Sequence, residues 1–173
     1  MKSEFLKYYN KRLHLEDIDL GEIAGEVGTP CYVYSRRSFE QAWHQYNSAF
    51  KERAHRICYA VKANDNLSIL KALALIGSDF DVVSIGELHK VTAAGGNPAG
   101  VVFSGVGKTR GEITDALKAG IGCINLESCE EFERLESVAA SLGACVNVAV
   151  RVNPNVDPKT HPYISTGLKD SKF

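Results

Sequence analysis

The chain has 173 residues, 45% hydrophobic and 24% charged, with 15 Gly and 5 Pro. That is the composition of an ordinary globular domain, and it excludes a disordered or collagen-like polymer. With 20 Lys and Arg against 21 Asp and Glu the formal net charge is -1, which supplies no global pull toward nucleic acid or an anionic membrane, so function must reside in a local site.

Residues 1–34 stand apart from the rest of the chain. Asp19 to Val27 reads as a short helix ended by Gly28, and Thr29-Pro30 breaks into a strand over Cys31-Tyr32-Val33-Tyr34. This segment is expected to contact another domain. From residue 35 two signals alternate. Phe39, Ala42, Trp43, Tyr46, Ala49 and Phe50 form the apolar stripe of an amphipathic helix, and Ile57-Cys58-Tyr59-Ala60-Val61 is an apolar run suited to a strand covered on both faces. After Asn66, an N-cap residue, Leu67 to Ile76 is helical and stops at Gly77 before the strand Phe80-Asp81-Val82-Val83. Gly86 to Ala94 is the next helix and Val101-Val102-Phe103 the next strand. Thr109 precedes a helix from Glu112 to Lys118, followed by the strand Cys123-Ile124-Asn125-Leu126. Ser128 opens a helix from Glu130 to Ser141, and Val146 to Val150 is the fifth strand.

The strands recur roughly every 22 residues, a period typical of repeated supersecondary units. Buried strands alternating with glycine-ended helices require a parallel sheet with right-handed crossovers. An open doubly wound sheet and part of a (β/α)8 barrel both satisfy this.

Met1 to Lys7 carries no apolar signal core, and no stretch reaches the roughly 18 apolar residues of a membrane span, so a cytoplasmic location without membrane partners is expected. The five cysteines, Cys31, Cys58, Cys123, Cys129 and Cys145, include no C-x-x-C pair and read as reduced thiols. The five histidines show no metal-ligand spacing, so no metal is expected.

Lys62 ends the first strand of the series in Tyr59-Ala60-Val61-Lys62-Ala63-Asn64, and active sites of parallel α/β folds lie at the C-terminal ends of strands. Strand parity puts Cys58, Ala60 and Lys62 on one face, with two small side chains leaving room in front of the amine. Desolvation there would lower the lysine pKa and favour attack on a carbonyl to form a Schiff base. From this residue alone, a lysine leaving the sheet into solvent is the commoner arrangement.

The sequence A-V-K-A-N after a strand resembles the cofactor-lysine motif of the fold-type III pyridoxal-phosphate enzymes, the group of alanine racemase and the barrel decarboxylases. Within it the chain resembles the diaminopimelate decarboxylase family from end to end. The matching stretches are Gly28 to Tyr34, Tyr59 to Asn64, Phe80 to Ser84, Phe103 to Thr109, Ile124 to Ser128, Arg151 to Pro154, and Thr160 to Gly167 with Ser171-Lys172-Phe173. Alanine racemase is disfavoured by Asp65-Asn66-Leu67-Ser68 after the lysine. One departure is Ile85, where the family usually has a glycine. If that position needs a positive φ, Ile85 would distort the loop.

The resemblance implies an incomplete (β/α)8 TIM barrel of about five units over residues 35–173, with residues 1–34 joining a C-terminal β domain. A complete barrel takes about 250 residues. It also implies pyridoxal 5'-phosphate on Lys62, conversion of meso-2,6-diaminopimelate to L-lysine and CO2, and a homodimer. Asp81 and Arg151 would be cofactor-binding. Groups for the phosphate, the ring nitrogen and the substrate would lie further along, so the 173-residue chain alone is expected to be inactive. The runners-up are another decarboxylase of the same fold, acting on ornithine, arginine or carboxynorspermidine, and a non-catalytic pyridoxal-phosphate-binding module.

On residue type alone, Asp81 needs a partner inside an apolar strand, and loop amides would serve. Arg151 on residue type alone reads more readily as a surface ion pair with a nearby acid. His161, Ser165 and Thr166 either line a substrate channel or belong to a turn fixed by Pro158 and Pro162. Ser104 to Thr109 fails as a Walker A loop because Val102 stands at the required first glycine, which disfavours a nucleotide enzyme using Lys108; its amides could still meet an anion, but a tight turn between strand and helix is the commoner account. Cys129 opens a helix and is not read as a reactive thiol.

Overall fold

The computed structural model describes residues 4–156. A hairpin of β1 (Leu6–Tyr9) and β2 (Arg12–Leu15) turns through Asn10 and Lys11 at φ 47° and 63°, the two-residue geometry that favours asparagine first. β3 (Ile18–Asp19) pairs antiparallel with β2. Asp19 then caps α1 (Leu20–Val27), accepting from the Gly21 amide while it pairs with Arg12 at 2.8 Å. The sequence reading contains none of these strands, because each is short, and β1 leaves Tyr8 and Tyr9 largely in solvent. Conversely, Cys31–Tyr34, expected as a strand, has no ladder partner among the described residues.

The second unit alternates as expected: α2 (Arg36–Ala49), β4 (Cys58–Ala60), α3 (Leu67–Leu75), β5 (Asp79–Val82), α4 (Ile85–Ala93), β6 (Val101–Phe103), α5 (Arg110–Lys118), β7 (Cys123–Leu126), α6 (Cys129–Leu142) and β8 (Asn147–Val150). Its 5-stranded sheet is parallel and runs β4-β5-β6-β7-β8, in strict chain order. A doubly wound sheet reverses order at a switch point. Sequential order is that of a barrel wall, so the fold is a partial (β/α)8 barrel, as expected.

Register and parity divide the sheet into two faces. Phe80, Val82, Val101, Phe103 and Ile124 point to the helices and are fully buried against Leu70, Leu88, Val91 and Ile113. Each such side chain contributes roughly 1.5–3 kcal/mol by leaving water. The opposite face, the barrel interior, carries Ala60, Asp81, Val102, Cys123 and Asn147 in one register row, all partly or fully accessible. At the N-terminal end of the strands Arg56 pairs with Asp79 at 2.7 Å and donates to the Gly100 carbonyl at 2.9 Å. Gly100 is required there, since a Cβ would fall 1.9 Å from Asp79 Oδ1.

At the C-terminal end of the strands three helices begin with the same chemistry. Ser84, Thr109 and Ser128 accept from the amides of Glu87, Glu112 and Glu131, and those carboxylates reach back to the amides of Val83, Thr109 and Glu127 at 2.7, 3.0 and 2.7 Å. Ile85 is the first residue of α4 and is not among the residues at positive φ. The distortion considered for it does not arise: its side chain packs on the core, and its amide lies 3.5 Å from Glu112 Oε1.

Lys108 is 2% exposed. Its Nζ donates to the carbonyls of Gly105 at 2.6 Å and Asn125 at 2.8 Å and lies 2.8 Å from Glu131 Oε1. Gly105 takes φ +106°, which turns its carbonyl back to the amine. Lys108 therefore ties the end of β6 to β7 and α6.

Two stability results are expected. Lys108→Met alone leaves the Glu131 carboxylate buried without its cation and should cost about 3–5 kcal/mol in chemical denaturation, whereas adding Glu131→Leu should recover most of that loss. Glu112 is held below its ordinary pKa, chiefly by the Thr109 amide, which outweighs partial burial with help from the Thr109 hydroxyl, the Ile85 amide and the Lys108 charge. Its contribution is thus complete above the unfolded value of about 4.3 and is lost as pH falls through the lower folded value. Melting curves collected through that acid range should fall less steeply for Glu112→Gln than for the parent.

Candidate active site

The site is built on the ends of the strands. Lys62 lies just past β4, in a short 3-10 turn over Val61–Ala63 and not in the strand itself. Val61 is fully buried and anchors the turn, and the Asn64 amide closes it on the Val61 carbonyl at 3.1 Å. The Tyr59 hydroxyl donates to the Asn64 carbonyl at 3.2 Å, and the Asn66 amide donates to Asn64 Oδ1 at 3.1 Å. The turn is thereby fixed on both sides of the lysine. Lys62 itself is exposed, so the desolvation expected from the sequence is not supplied by the described residues.

Asp81 is the register partner of Ala60, two residues before Lys62. The two form no ion pair; the partner of Asp81 is Ser104, whose hydroxyl donates to Oδ1 at 2.6 Å. Asn125 Nδ2 donates in turn to Ser104 Oγ at 2.9 Å. Loop amides, the other arrangement open to Asp81 on its residue type, do not hold it. Arg151 lies just past β8, with its amide on the Leu126 carbonyl and Nη1 3.3 Å from Glu127 Oε1. Ser104, Asn125, Glu127 and Arg151, with Ala149 and Val150, line a cavity of about 270 Å³. Lys62 and Asp81 are not in that lining. His161, Ser165 and Thr166 lie outside the described residues.

Ser104, Asn125 and Glu127 were not candidates on sequence. Their signal was parity: each falls on the interior face one step beyond a strand residue that shares it, in otherwise apolar strands. Lys108, considered as an anion ligand, is instead enclosed by two carbonyls and a carboxylate. The Thr109 amide is likewise taken by Glu112. Lys108 and the Thr109 amide are thus already engaged within the turn, in keeping with the tight turn expected there.

These residues fit part of a pyridoxal-type group. A lysine amine beside a small residue on an open face can hold an aldehyde carbon, Asp81 Oδ2 has no donor among the described residues, and Arg151 brings a cation to the same end of the sheet. The phosphate finds no cradle here. Glu87, Glu112 and Glu131 place negative charge at the starts of α4, α5 and α6, the helix ends that would otherwise attract an anion.

Comparison with known proteins agrees with this geometry. Residues 36–173 match the family described as pyridoxal-dependent decarboxylase, pyridoxal binding domain. The diaminopimelate decarboxylase of Vibrio cholerae is 51% identical over 172 residues, covering 97% of this chain and 41% of that protein. The Pseudomonas aeruginosa enzyme of the same name is 54% identical, covering 96% of this chain and 40% of that protein. Among solved structures, the diaminopimelate decarboxylase of Helicobacter pylori complexed with L-lysine superposes with a TM-score of 0.86 at 49% identity, over 90% of this chain and 39% of that one. The arginine decarboxylase of Paramecium bursaria Chlorella virus, at 23% identity and a TM-score of 0.68 over 81% of this chain and 37% of that one, shares the fold alone. The chain spans about 40% of the length of the curated relatives it matches. With its sequential parallel sheet and its lysine at the end of β4, the chain belongs to the pyridoxal-dependent decarboxylases and carries their pyridoxal binding domain.

Proposed function

We propose that the intact protein removes a carboxylate from meso-2,6-diaminopimelate to give L-lysine and CO2, with pyridoxal 5'-phosphate held on Lys62. The observation that carries this reading is the exposed Lys62 amine, fixed in a tight turn at the C-terminal end of β4, within residues that match a pyridoxal binding domain. Relatives named for diaminopimelate at about half identity favour that substrate. When bound, the cofactor supplies an electron sink for the carbon that loses its carboxylate.

The chain's own residues have separate tasks. The Lys62 amine would be the group that holds the cofactor. Asp81 presents a carboxylate beside the lysine, and Arg151, braced by Glu127, offers positive charge from β8. His161 and Ser165, outside the described residues, are assigned to the substrate channel by the family resemblance alone. Residues 1–34 meet a β domain, and residues 35–173 form the first part of the barrel. A homodimer is the assembly that the family resemblance implies for the intact protein. A cytoplasmic location is part of the same proposal; among the described residues no helix is long and apolar enough to cross a membrane.

Borohydride reduction of the cofactor-loaded intact protein should leave a stable pyridoxyl adduct that maps to Lys62, and Lys62→Ala should abolish both the adduct and CO2 release. Label at another lysine would overturn the site assignment. Faster CO2 release from ornithine or arginine than from diaminopimelate would overturn the substrate. An adduct at Lys62 with no CO2 from any of them would indicate a binding module instead. The 173-residue chain alone, lacking a phosphate cradle among its described residues, is expected to release none.

A further inference from the structure

We infer that Ser104 and Asn125 are positioning residues for Asp81, forming a one-way hydrogen-bond chain across three strands that fixes the plane of its carboxylate and leaves one oxygen open toward the end of β4; this rests on the proposed cofactor at Lys62. An ionised carboxylate only accepts, so the proton on the Ser104 hydroxyl, 2.6 Å from Asp81 Oδ1, must point toward Asp81. The lone pairs left on Oγ require a donor from the other side. Asn125 Nδ2 supplies it at 2.9 Å. The polarity of the chain is therefore fixed from β7 to β5, and the Ser104–Asp81 contact has the short length of a charge-assisted bond.

The far end of the chain is anchored. Asn125 is held through its backbone carbonyl, which accepts from Lys108 Nζ at 2.8 Å, and Lys108 is immobilised by Gly105 and Glu131. The near end has one free position. Oδ1 is occupied by Ser104, and no described residue donates to Oδ2. Since Asp81 pairs in register with Ala60, Oδ2 is the oxygen left for a cationic partner at the end of β4. Without the Ser104 hydroxyl the carboxylate plane is free to rotate, and the acceptor would no longer be held in place before the cofactor arrives.

The test uses the intact protein with Ser104→Ala, Ser104→Thr and Asn125→Asp. Asn125→Asp is nearly isosteric and makes two carboxylates compete for one hydroxyl proton, so it tests the direction of the chain even if Ser104→Ala fails to fold. Three quantities are read: the Asp81 side-chain torsions in crystals without cofactor, the pH midpoint of the visible absorbance of bound pyridoxal phosphate, and kcat and KM for diaminopimelate. Ser104→Ala and Asn125→Asp should release the Asp81 rotamer, move the midpoint by about one pH unit and lower kcat about tenfold with KM little changed. Ser104→Thr, which keeps the hydroxyl, should restore all three.

Parental rotamer and midpoint in both Ser104→Ala and Asn125→Asp would overturn the inference, even if activity fell, because a merely structural role would account for that. Failure of the parent to form the Lys62 adduct would instead overturn the cofactor reading. The rotamer measurement without cofactor would still decide whether the chain positions Asp81.

Discussion

In-register pairing of parallel strands is the constraint on which the rest of this structure depends. Once Ala60 pairs with Asp81, Asp81 with Val102 and Val102 with Cys123, every side chain on those strands is assigned to one of two faces. A slip of one residue would turn Phe80 and Val82 into the barrel interior and drive Asp79 and Asp81 under the helices. Burying those carboxylates without partners would cost far more than the strand gains, so the register is strongly specified. The same rule that builds the core thus delivers Asp81, Ser104 and Asn125 to a common interior face.

Charge joins the two layers at Lys108. Lys108 arises in the loop after β6 and turns into the structure, where two carbonyls and Glu131 satisfy it. Arg134 on α6 donates to the Lys108 carbonyl at 2.9 Å and holds the same loop from outside. Because Nζ reaches the Asn125 carbonyl, this cluster sets the height at which β7 presents its side chains to the cavity. A buried pair of this kind adds little net stability over an apolar substitute. Its consequence is geometric, since Coulomb attraction and directed donors admit one arrangement where apolar packing admits several.

Acidic capping residues give the strand ends a second property. Glu87, Glu112 and Glu131 close helix N-termini that point to the same end of the sheet as Lys62. They stabilise the helices and also fill the positive ends of their dipoles. The described region therefore offers an amine, a carboxylate and a guanidinium at the mouth but no seat for a phosphate.

The sequence alone determined the alternation of helices and strands, because apolar period and capping residues act over a few neighbours. Asn66, Thr109 and Ser128 each mark a helix start found in the structure. It also determined Lys62 as the attachment candidate, since the motif around it is contiguous. The N-terminal hairpin was illegible because its stability rests on a two-residue turn at Asn10-Lys11 and on pairing rather than on an apolar pattern. Only the tertiary structure decided that the sheet runs in chain order, that Lys108 is enclosed while Lys62 is exposed, and that Asp81 is held by Ser104 and Asn125. Those outcomes depend on which strands become neighbours. Ser104 and Asp81 lie 23 residues apart in the chain and meet because β5 and β6 pair in parallel, a long-range choice that no local window of sequence contains.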